Sequence, residues 1–266
     1  DDMGERENSL IYKTIKAIVH FFYPKTEVKG LSHLPDEPAI IVGNHTQMNG
    51  PIACELYFPG RRYIWCASQM MHLKEVPAYA YRDFWSQKPK SVRWFFRILS
   101  YLIAPVSVCI FNHADTIEVC RDRRIVSTFR ETAERLQEGA NVIIFPECDK
   151  PYNNILYDFQ DGFVDIAKLY YKKTGRELSF VPLYIAPALK TMYLGKPIKF
   201  CAENPTREER KRICSYLMQE ITDIACGLPP HVVVPYRNIP KKDYPMNIPQ
   251  NETIRQEVKD NAKTGN

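Results

Sequence analysis

The stretch Ala39-Ile-Ile-Val-Gly-Asn-His-Thr-Gln-Met-Asn-Gly-Pro51 is the most informative part of the sequence about the fold class. Its four leading apolar residues are too few for a helix of ordinary length and are typical of a buried strand. A polar loop, residues 43–50, follows the strand, and Pro51 suits the first turn of a helix. A strand that runs through a short loop into a helix is the repeating step of α/β folds.

The rest of the chain repeats this alternation of short apolar runs and helical periodicity. Strands are predicted at Val28 and at residues 39–42, 63–66, 117–120, 141–145, 180–185 and 197–200. Helices are predicted at residues 51–57, 91–103, 124–138, 159–174 and 206–226. We therefore expect a single α/β domain in which a mostly parallel or mixed sheet is flanked by helices.

The two ends of the chain differ from this central part. Near the start, Ile11, Ile15, Ile18 and Phe22 fall on one face of a predicted amphipathic helix. After Tyr236 the chain is rich in Pro, Lys and Asn and loses its periodicity. We predict a membrane-interfacial helix at residues 1–23, the α/β domain at residues 24–236 and a loosely ordered tail at residues 237–266.

A second apolar stretch, residues 92–111, is crowded with aromatic and aliphatic side chains. Arg93 and Arg97 interrupt it, and Pro105 is expected to break its helix. A spanning helix needs about 20 clean apolar residues, so the stretch favours a segment at the membrane interface. A buried core helix fits the same pattern.

Composition limits the classes of function. The 266 residues are 45% hydrophobic and 25% charged, which is typical of a globular protein. A net charge of +5 suits anionic head groups or phosphorylated substrates and does not by itself indicate nucleic acid; a solvated surface with extra lysines fits equally well. The eight cysteines form no Cys-x-x-Cys pair and the histidines lack ligand spacing, so no metal site is predicted.

Three chemically capable side chains follow predicted strands. His45 stands after residues 39–42, where α/β folds build sites, and an imidazole can take a proton from a hydroxyl near neutral pH. A structural histidine fits the same position. Glu147 follows the strand at 141–145 and can bind a polar group or cap a turn. Arg121 ends the strand at 117–120, and its guanidinium fits phosphate oxygens or a surface ion pair.

Together, these segments resemble the family of glycerol-3-phosphate and 1-acylglycerol-3-phosphate acyltransferases. Asn44-His45 resembles the start of the family's Asn-His-x4-Asp motif, and residues 117–121 resemble its strand ending in arginine. Phe145-Pro146-Glu147-Cys148 resembles the Phe-Pro-Glu-Gly motif, and Val181-Pro182-Leu183 resembles a fourth, Val-Pro-hydrophobic motif. The resemblance covers about residues 24 to 200.

The resemblance implies O-acyl transfer from acyl-CoA or acyl carrier protein to the hydroxyl of a glycerol phosphate or lysophospholipid. The enzyme is then expected to serve phospholipid biosynthesis at the cytoplasmic face of a membrane, as a peripheral or monotopic protein. No nucleic-acid partner, metal or bound cofactor is implied. The residues implied are His45, Asn49 and Glu147 for catalysis and, for substrate binding, Asn44, Gly50, Arg121, Phe145, Pro146, Cys148, Lys150, Val181 and Pro182.

The chain departs from the family's pattern at Gly50, which stands where the aspartate of the first motif belongs. Three outcomes are open. Another acid, Asp83, Asp149 or Glu147, reaches the ring of His45; the amide of Asn49 orients it; or the chain has lost turnover and binds lipid or acyl groups only.

The third motif departs as well, because Cys148-Asp149-Lys150-Pro151 replaces the family's Gly-Thr-Arg-Ser. Lys150 offers a phosphate contact without the bidentate fork of arginine. Cys148 is either a buried inert thiol or a nucleophile for a covalent route. An acyl-thioester hydrolase, which uses water as the acceptor, is a further alternative.

Overall fold

The computed structural model describes residues 10–85, 88–120 and 124–248. They belong to two compact units: Asp1–Pro24 with Gly60–Val142, and Lys25–Pro59 with Ile143–Asn266. Arg121 lies outside the described residues, so its predicted phosphate contact stays a prediction. The alternation of strands and helices confirms the α/β fold class.

The predicted elements are present, although some ends differ by several residues: the helix predicted at residues 91–103 extends to His113. The helices in the described ranges are α1 (Leu10–Phe22), α2 (Asn49–Tyr57), α3 (Val76–Ala80), α4 (Arg93–His113), α5 (Ile125–Gln137), α6 (Asp165–Thr174) and α7 (Thr206–Cys226). The strands there are β1 (Glu27–Lys29), β2 (Ala39–Gly43), β3 (Arg62–Ala67), β4 (Thr116–Val119), β5 (Asn141–Ile144), β6 (Glu147–Pro151), β7 (Tyr157–Phe159), β8 (Ser179–Ala186), β9 (Thr191–Leu194) and β10 (Ile198–Lys199).

The second unit is built on a mixed sheet around β8. β2 pairs with β8 in parallel, from Ala39 opposite Ser179 to Gly43 opposite Leu183. β9 and β10 pair with β8 in antiparallel orientation, and β1 pairs with β9 in parallel. Every residue of β2 and β8 is buried, which explains their continuous apolar runs. The sheet therefore holds the end of β2, and with it His45, in a fixed place.

The first unit combines the parallel pair β3 and β4 with α1, α3, α4 and α5. α4 continues through Pro105, so the predicted break is wrong. Proline removes one backbone donor and crowds the carbonyl four residues earlier, and the turns on both sides continue the helix despite this local loss. α1 packs against α4 and buries Tyr12, while most of its apolar side chains remain exposed.

Three features of the second unit were not predicted. One is β9, which pairs with β8 and β1 and is absent from the predicted strands. β6 and β7 form an antiparallel hairpin in which Glu147 lies opposite Phe159. The sequence of β6, Glu-Cys-Asp-Lys-Pro, has no apolar alternation and so gives no strand signal. The helix predicted from residue 159 begins at Asp165, after a 3-10 turn at Asp161–Val164.

The chain after α7 is ordered over residues 237–248, where a loose tail was predicted. Val232 forms an antiparallel bridge with Met246. The side chain of Asn247, 3% exposed, donates to the carbonyls of Ala225, Leu228 and Pro229 and accepts the amide of His231. Hydrogen bonds of one buried side-chain amide thus hold this segment, which lacks the apolar periodicity of a helix or strand. We call residues 228–248 the C-terminal strap; residues 249–266 lie outside the described part.

His231 ties the strap to the sheet. Its Nδ1 lies 2.8 Å from the carbonyl oxygen of Pro229, which can only accept, so Nδ1 carries the proton. Nε2 therefore accepts the hydroxyl of Tyr184 in β8, at 2.7 Å. The strap is bonded to the end of α7 through Asn247 and to the central strand through His231.

Replacing Asn247 with alanine should destabilise the second unit, because the mutation leaves a buried amide and several carbonyls without partners. We expect the free energy of unfolding to fall by about 1–3 kcal/mol. Urea denaturation of Asn247→Ala measures it, with Lys242→Ala, an exposed strap side chain, as the control. A value for Asn247→Ala equal to that of the control would contradict the anchoring role.

Candidate active site

The loop after β2 bends sharply to present His45. Thr46 and Gln47 have φ angles of 47° and 55°, in the left-handed region that non-glycine residues rarely adopt. The amides of Asn49 and Gly50 donate to the carbonyls of Thr46 and His45, and α2 begins at Asn49. Such backbone persists only when surrounding contacts hold it.

Gly50 is part of this bend. A Cβ atom at position 50 would lie 2.5 Å from the carbonyl oxygen of His45. That distance is too short for any side chain unless the loop backbone shifts. The aspartate of the family's motif therefore has no room at position 50 in this loop, and the predicted substrate contact of Gly50 is limited to its backbone.

Asn44 fixes the loop to the sheet. Its side chain is 2% exposed; Nδ2 donates to the carbonyl of Ile185 at 3.0 Å and Oδ1 accepts the amide of Ile185 at 2.7 Å. Through these two bonds, the side chain of Asn44 continues the hydrogen bonding between β2 and β8 by one more residue. The substrate contact predicted for Asn44 would require this buried amide to leave its partners.

Glu147 fixes the loop from the hairpin. Its Oε2 accepts the backbone amide of His45 at 2.6 Å, and its Oε1 accepts the amide of Tyr157 at 2.9 Å. The carboxyl is 4% exposed, and burial raises its pKa to about 7 although both amide bonds favour the ionised form. Glu147 thus holds the backbone of the loop, which agrees with the turn-capping alternative, and it makes no bond to Nδ1 of the His45 ring.

The imidazole of His45 is flanked by aromatic rings. Its centroid lies 5.3 Å from that of Phe145 and 5.8 Å from that of Tyr236, with interplanar angles of 70° and 83°. Burial lowers the pKa of His45 to about 4, against a backbone contact with Gln47 that raises it. The ring is therefore neutral at pH 7.

Nδ1 of His45 is buried and has no hydrogen-bond partner among the described residues. The amide of Asn49, predicted to orient the ring, instead donates from Nδ2 to the carbonyl of Thr46. Of the acids considered, Glu147 bonds the backbone, Asp149 pairs with Arg237 at 3.7 Å, and Asp83, in the first unit, bonds Arg82. No carboxylate in the described part replaces the missing aspartate at Nδ1.

Two more predicted side chains lie on the hairpin. Lys150 is exposed and pairs with Asp158 at 3.1 Å, so a phosphate would compete with a weak surface ion pair. Cys148 is part-buried beside Glu147 and has a free thiol, and its covalent route stays a prediction.

The remaining predicted residues serve the fold. Val181 and Pro182 are buried within β8, and the carbonyl of Pro182 accepts the amide of Gly195. The carbonyl of Pro146 accepts the amide of Gln160, which closes the base of the hairpin. Phe145 packs on His45 as described. Their positions shape the sheet and the wall beside His45, and acyl-channel contacts stay a prediction for Val181 and Pro182.

Sequence reasoning missed the strap residues at the site. Gln47 donates from Nε2 to the hydroxyl of Tyr244 at 3.0 Å and to the carbonyl of Arg237 at 3.3 Å. Tyr236 contacts the rings of His45 and Tyr157. The aromatic side chains among the prolines were the one available signal. Tyr236 was placed at the end of the predicted domain, and Tyr244 falls in the segment predicted to be loose.

The opposite pKa shifts of His45 and Glu147 give opposite pH dependences of stability. Between pH 4 and 6.5 the unfolded chain binds more protons at position 45, so the His45 contribution rises with pH. Between pH 4.5 and 7 the folded chain binds more protons at Glu147, so that contribution falls with pH. The two dependences largely cancel in the wild type.

Variants separate the two contributions. We expect the unfolding free energy of wild type minus that of His45→Asn to rise by about 3 kcal/mol from pH 4 to 7. The unfolding free energy of the wild type minus that of Glu147→Gln should fall by about 3 kcal/mol from pH 4.5 to 7. Urea denaturation at several pH values measures both, and two differences that do not vary with pH would contradict the shifts.

Comparison with known proteins shows which family the chain belongs to. No curated protein matches the chain at a significant level. One similar solved structure is the crystal structure of the 1-acyl-sn-glycerophosphate (LPA) acyltransferase PlsC from Thermotoga maritima. It is 18% identical, with a TM-score of 0.46, over 82% of this chain and 80% of that chain. A family model described as Acyltransferase matches residues 25–187, more than half of the chain and including His45 and Glu147, so the chain belongs to the acyltransferase family.

Proposed function

We propose that this acyltransferase moves a fatty acyl group from an acyl thioester to the hydroxyl of a phosphoglycerol-type acceptor, with His45 as the base. The donor is acyl-CoA or acyl carrier protein, and the acceptor is a glycerol phosphate or lysophospholipid of phospholipid biosynthesis. The observation that carries the proposal is a neutral, part-buried imidazole at the end of β2, held through its own amide by Glu147. Both residues lie within the family match.

The reaction moves one proton from the acceptor hydroxyl to His45 and then from His45 to the leaving sulfur. Because Nδ1 is buried, the acceptor hydroxyl meets the other ring nitrogen, Nε2, and gives it the proton. The hydroxyl oxygen attacks the thioester carbonyl and forms a tetrahedral adduct. The C–S bond then breaks, and the sulfur leaves with the proton held on the imidazolium. The products are an ester and a free thiol, without an acyl-enzyme.

The site lacks the charge that normally stabilises such an imidazolium. In serine proteases, neutralising the equivalent aspartate lowers kcat about 10⁴-fold. A low pKa also makes a neutral imidazole a weaker base, although it keeps the ring unprotonated down to mildly acidic pH. The unpartnered Nδ1 thus favours one second candidate, an acyl- or lipid-binding protein that has kept the fold and lost turnover.

An acceptor panel tests the proposal. The purified chain is given palmitoyl-CoA or palmitoyl carrier protein with lysophospholipids, glycerol 3-phosphate or no acceptor, and thiol release and lipid products are measured. We expect acceptor-dependent ester formation that falls about 10²-fold or more in His45→Ala, since a general base contributes that much. His33→Ala, a histidine of the same unit bonded to the carbonyl of Leu194, serves as the matched control.

Each alternative gives a different result in that assay. Thiol release without an acceptor, with free palmitate as the product, identifies a hydrolase. Equal background in wild type and His45→Ala, together with retained palmitoyl-lipid binding, rejects the transferase and supports the binding protein. Full activity in His45→Ala and loss in Cys148→Ser supports the covalent route.

We also propose that the first unit docks on the membrane surface, on the cytoplasmic side where the donors are available. α4 with its preceding turn, Lys90–His113, is long and apolar enough to cross a membrane, and only 17% of its apolar window is buried. That low fraction argues against the alternative of a core helix. The exposed large apolar side chains of α1 and α4 include Leu10, Ile11, Ile18, Phe21, Phe22, Trp94, Phe95, Ile98, Tyr101, Leu102 and Val106.

Liposome flotation tests the docking face. We expect the wild type to float with vesicles, and each of Ile18→Glu and Leu102→Glu to lower the partition about tenfold or more, because an exposed apolar group is replaced by a charge. Ser215→Glu adds the same charge at an exposed position of α7 and should change little. Equal flotation of all three variants would reject this face as the membrane contact.

A further inference from the structure

The C-terminal strap reaches the ring of His45 from outside the family match. Tyr236 lies edge-on to the imidazole at 5.8 Å and contacts the ring of Tyr157 at 5.6 Å, whereas the match ends at residue 187. The strap is anchored on both sides of this tip. His231 bonds β8 before it, and Asn247 bonds the end of α7 after it.

The strap also holds the same loop through the side chain of Gln47. Gln47, in its left-handed conformation, donates to the hydroxyl of Tyr244 and to the carbonyl of Arg237. The guanidinium of Arg237 lies 3.7 Å from the carboxylate of Asp149 on the hairpin. One segment therefore contacts the loop through side-chain bonds and the catalytic ring through packing.

We infer that the strap takes over the orienting part of the missing aspartate, with Tyr236 as a positioning residue that holds the imidazole of His45 by packing. An imidazole with an unbonded Nδ1 is free to rotate about its χ2 angle unless neighbours block it. Among the described residues, Tyr236 and Phe145 are the two rings packed on it, both steeply inclined to its plane. The kinetic part of this inference rests on the proposed function; the structural part does not.

Packing by Tyr236 has a measurable electrostatic consequence, because it also excludes water from the ring. The Glu147 carboxyl accepts the amide of His45, and the hairpin and the strap carry the Arg237–Asp149 and Lys150–Asp158 pairs. The phenol of Tyr157, whose pKa is raised by burial, also faces Tyr236. Burial is the largest cause of the low pKa of His45.

The first experiment needs no substrate. NMR titration of the purified full chain follows the ring signals of His45, assigned with His45→Gln. We expect Tyr236→Ala to raise the pKa of His45 by about one unit or more towards its ordinary 6.5. Tyr236→Phe, which keeps the ring and loses the hydroxyl, and Lys242→Ala, elsewhere on the strap, should titrate like the wild type. Wild-type titration in Tyr236→Ala would overturn the inference.

The second experiment measures turnover of the same variants. We expect Tyr236→Ala to lower kcat about 10–100-fold with little change in KM, since a misplaced catalytic group costs that much. The acid limb of its kcat/KM profile should move to higher pH, because the base must be unprotonated. An equal loss in Tyr236→Phe would assign the effect to the hydroxyl and reject positioning by packing.

Two controls keep the outcomes distinct. If Tyr236→Ala does not fold, Tyr236→Leu keeps apolar volume without the aromatic ring; we expect its kcat to fall, and wild-type kcat and His45 titration in Tyr236→Leu would overturn the inference. If the wild type shows no acyl transfer at all, the proposed function fails, while the NMR titration still decides whether the strap positions and covers His45.

Discussion

The hydrogen bond from the backbone amide of His45 to the buried carboxyl of Glu147 is the constraint on which the site depends. The loop that carries His45 contains two non-glycine residues with left-handed φ angles, so it cannot keep its shape without partners. Glu147 also accepts the amide of Tyr157, which joins the hairpin to the loop. Burying a carboxyl is unfavourable unless its oxygens are bonded, so each segment stabilises the other.

The loop is held on its other sides by equally specific contacts. Asn44 continues the hydrogen bonds of the sheet, and Gly50 allows the helix to begin directly against the carbonyl of His45. That close approach excludes a side chain at position 50. The absence of the usual aspartate is therefore part of how this loop is built.

The sequence predicted the parts of the site that local patterns determine. The apolar run of β2 was placed within one residue, and the strand-end positions of His45 and Glu147 marked both as candidate site residues. Contacts between distant segments left no local trace: Gln47 and Tyr244 are 197 residues apart in the chain. The hairpin strand β6 was missed because its residues show no apolar alternation. The helix break predicted at Pro105 was wrong because a helix can continue past the loss of one backbone hydrogen-bond donor.

The strap and a dyad aspartate achieve the same task with different physics. A carboxylate fixes the ring and raises its basicity at once, whereas packed aromatic rings fix it and lower its pKa by excluding water. In a site with packed aromatic rings, the imidazole therefore keeps its position but is a weaker base. The thioester donor proposed above would make this exchange tolerable, because a thiolate is a good leaving group and the base is needed mainly for attack by the hydroxyl. Only part of a change in the pKa of the base appears in the reaction rate, whereas misplacing a catalytic group by about 1 Å lowers the rate about 10²-fold. The position of the imidazole therefore affects the rate more than its base strength does.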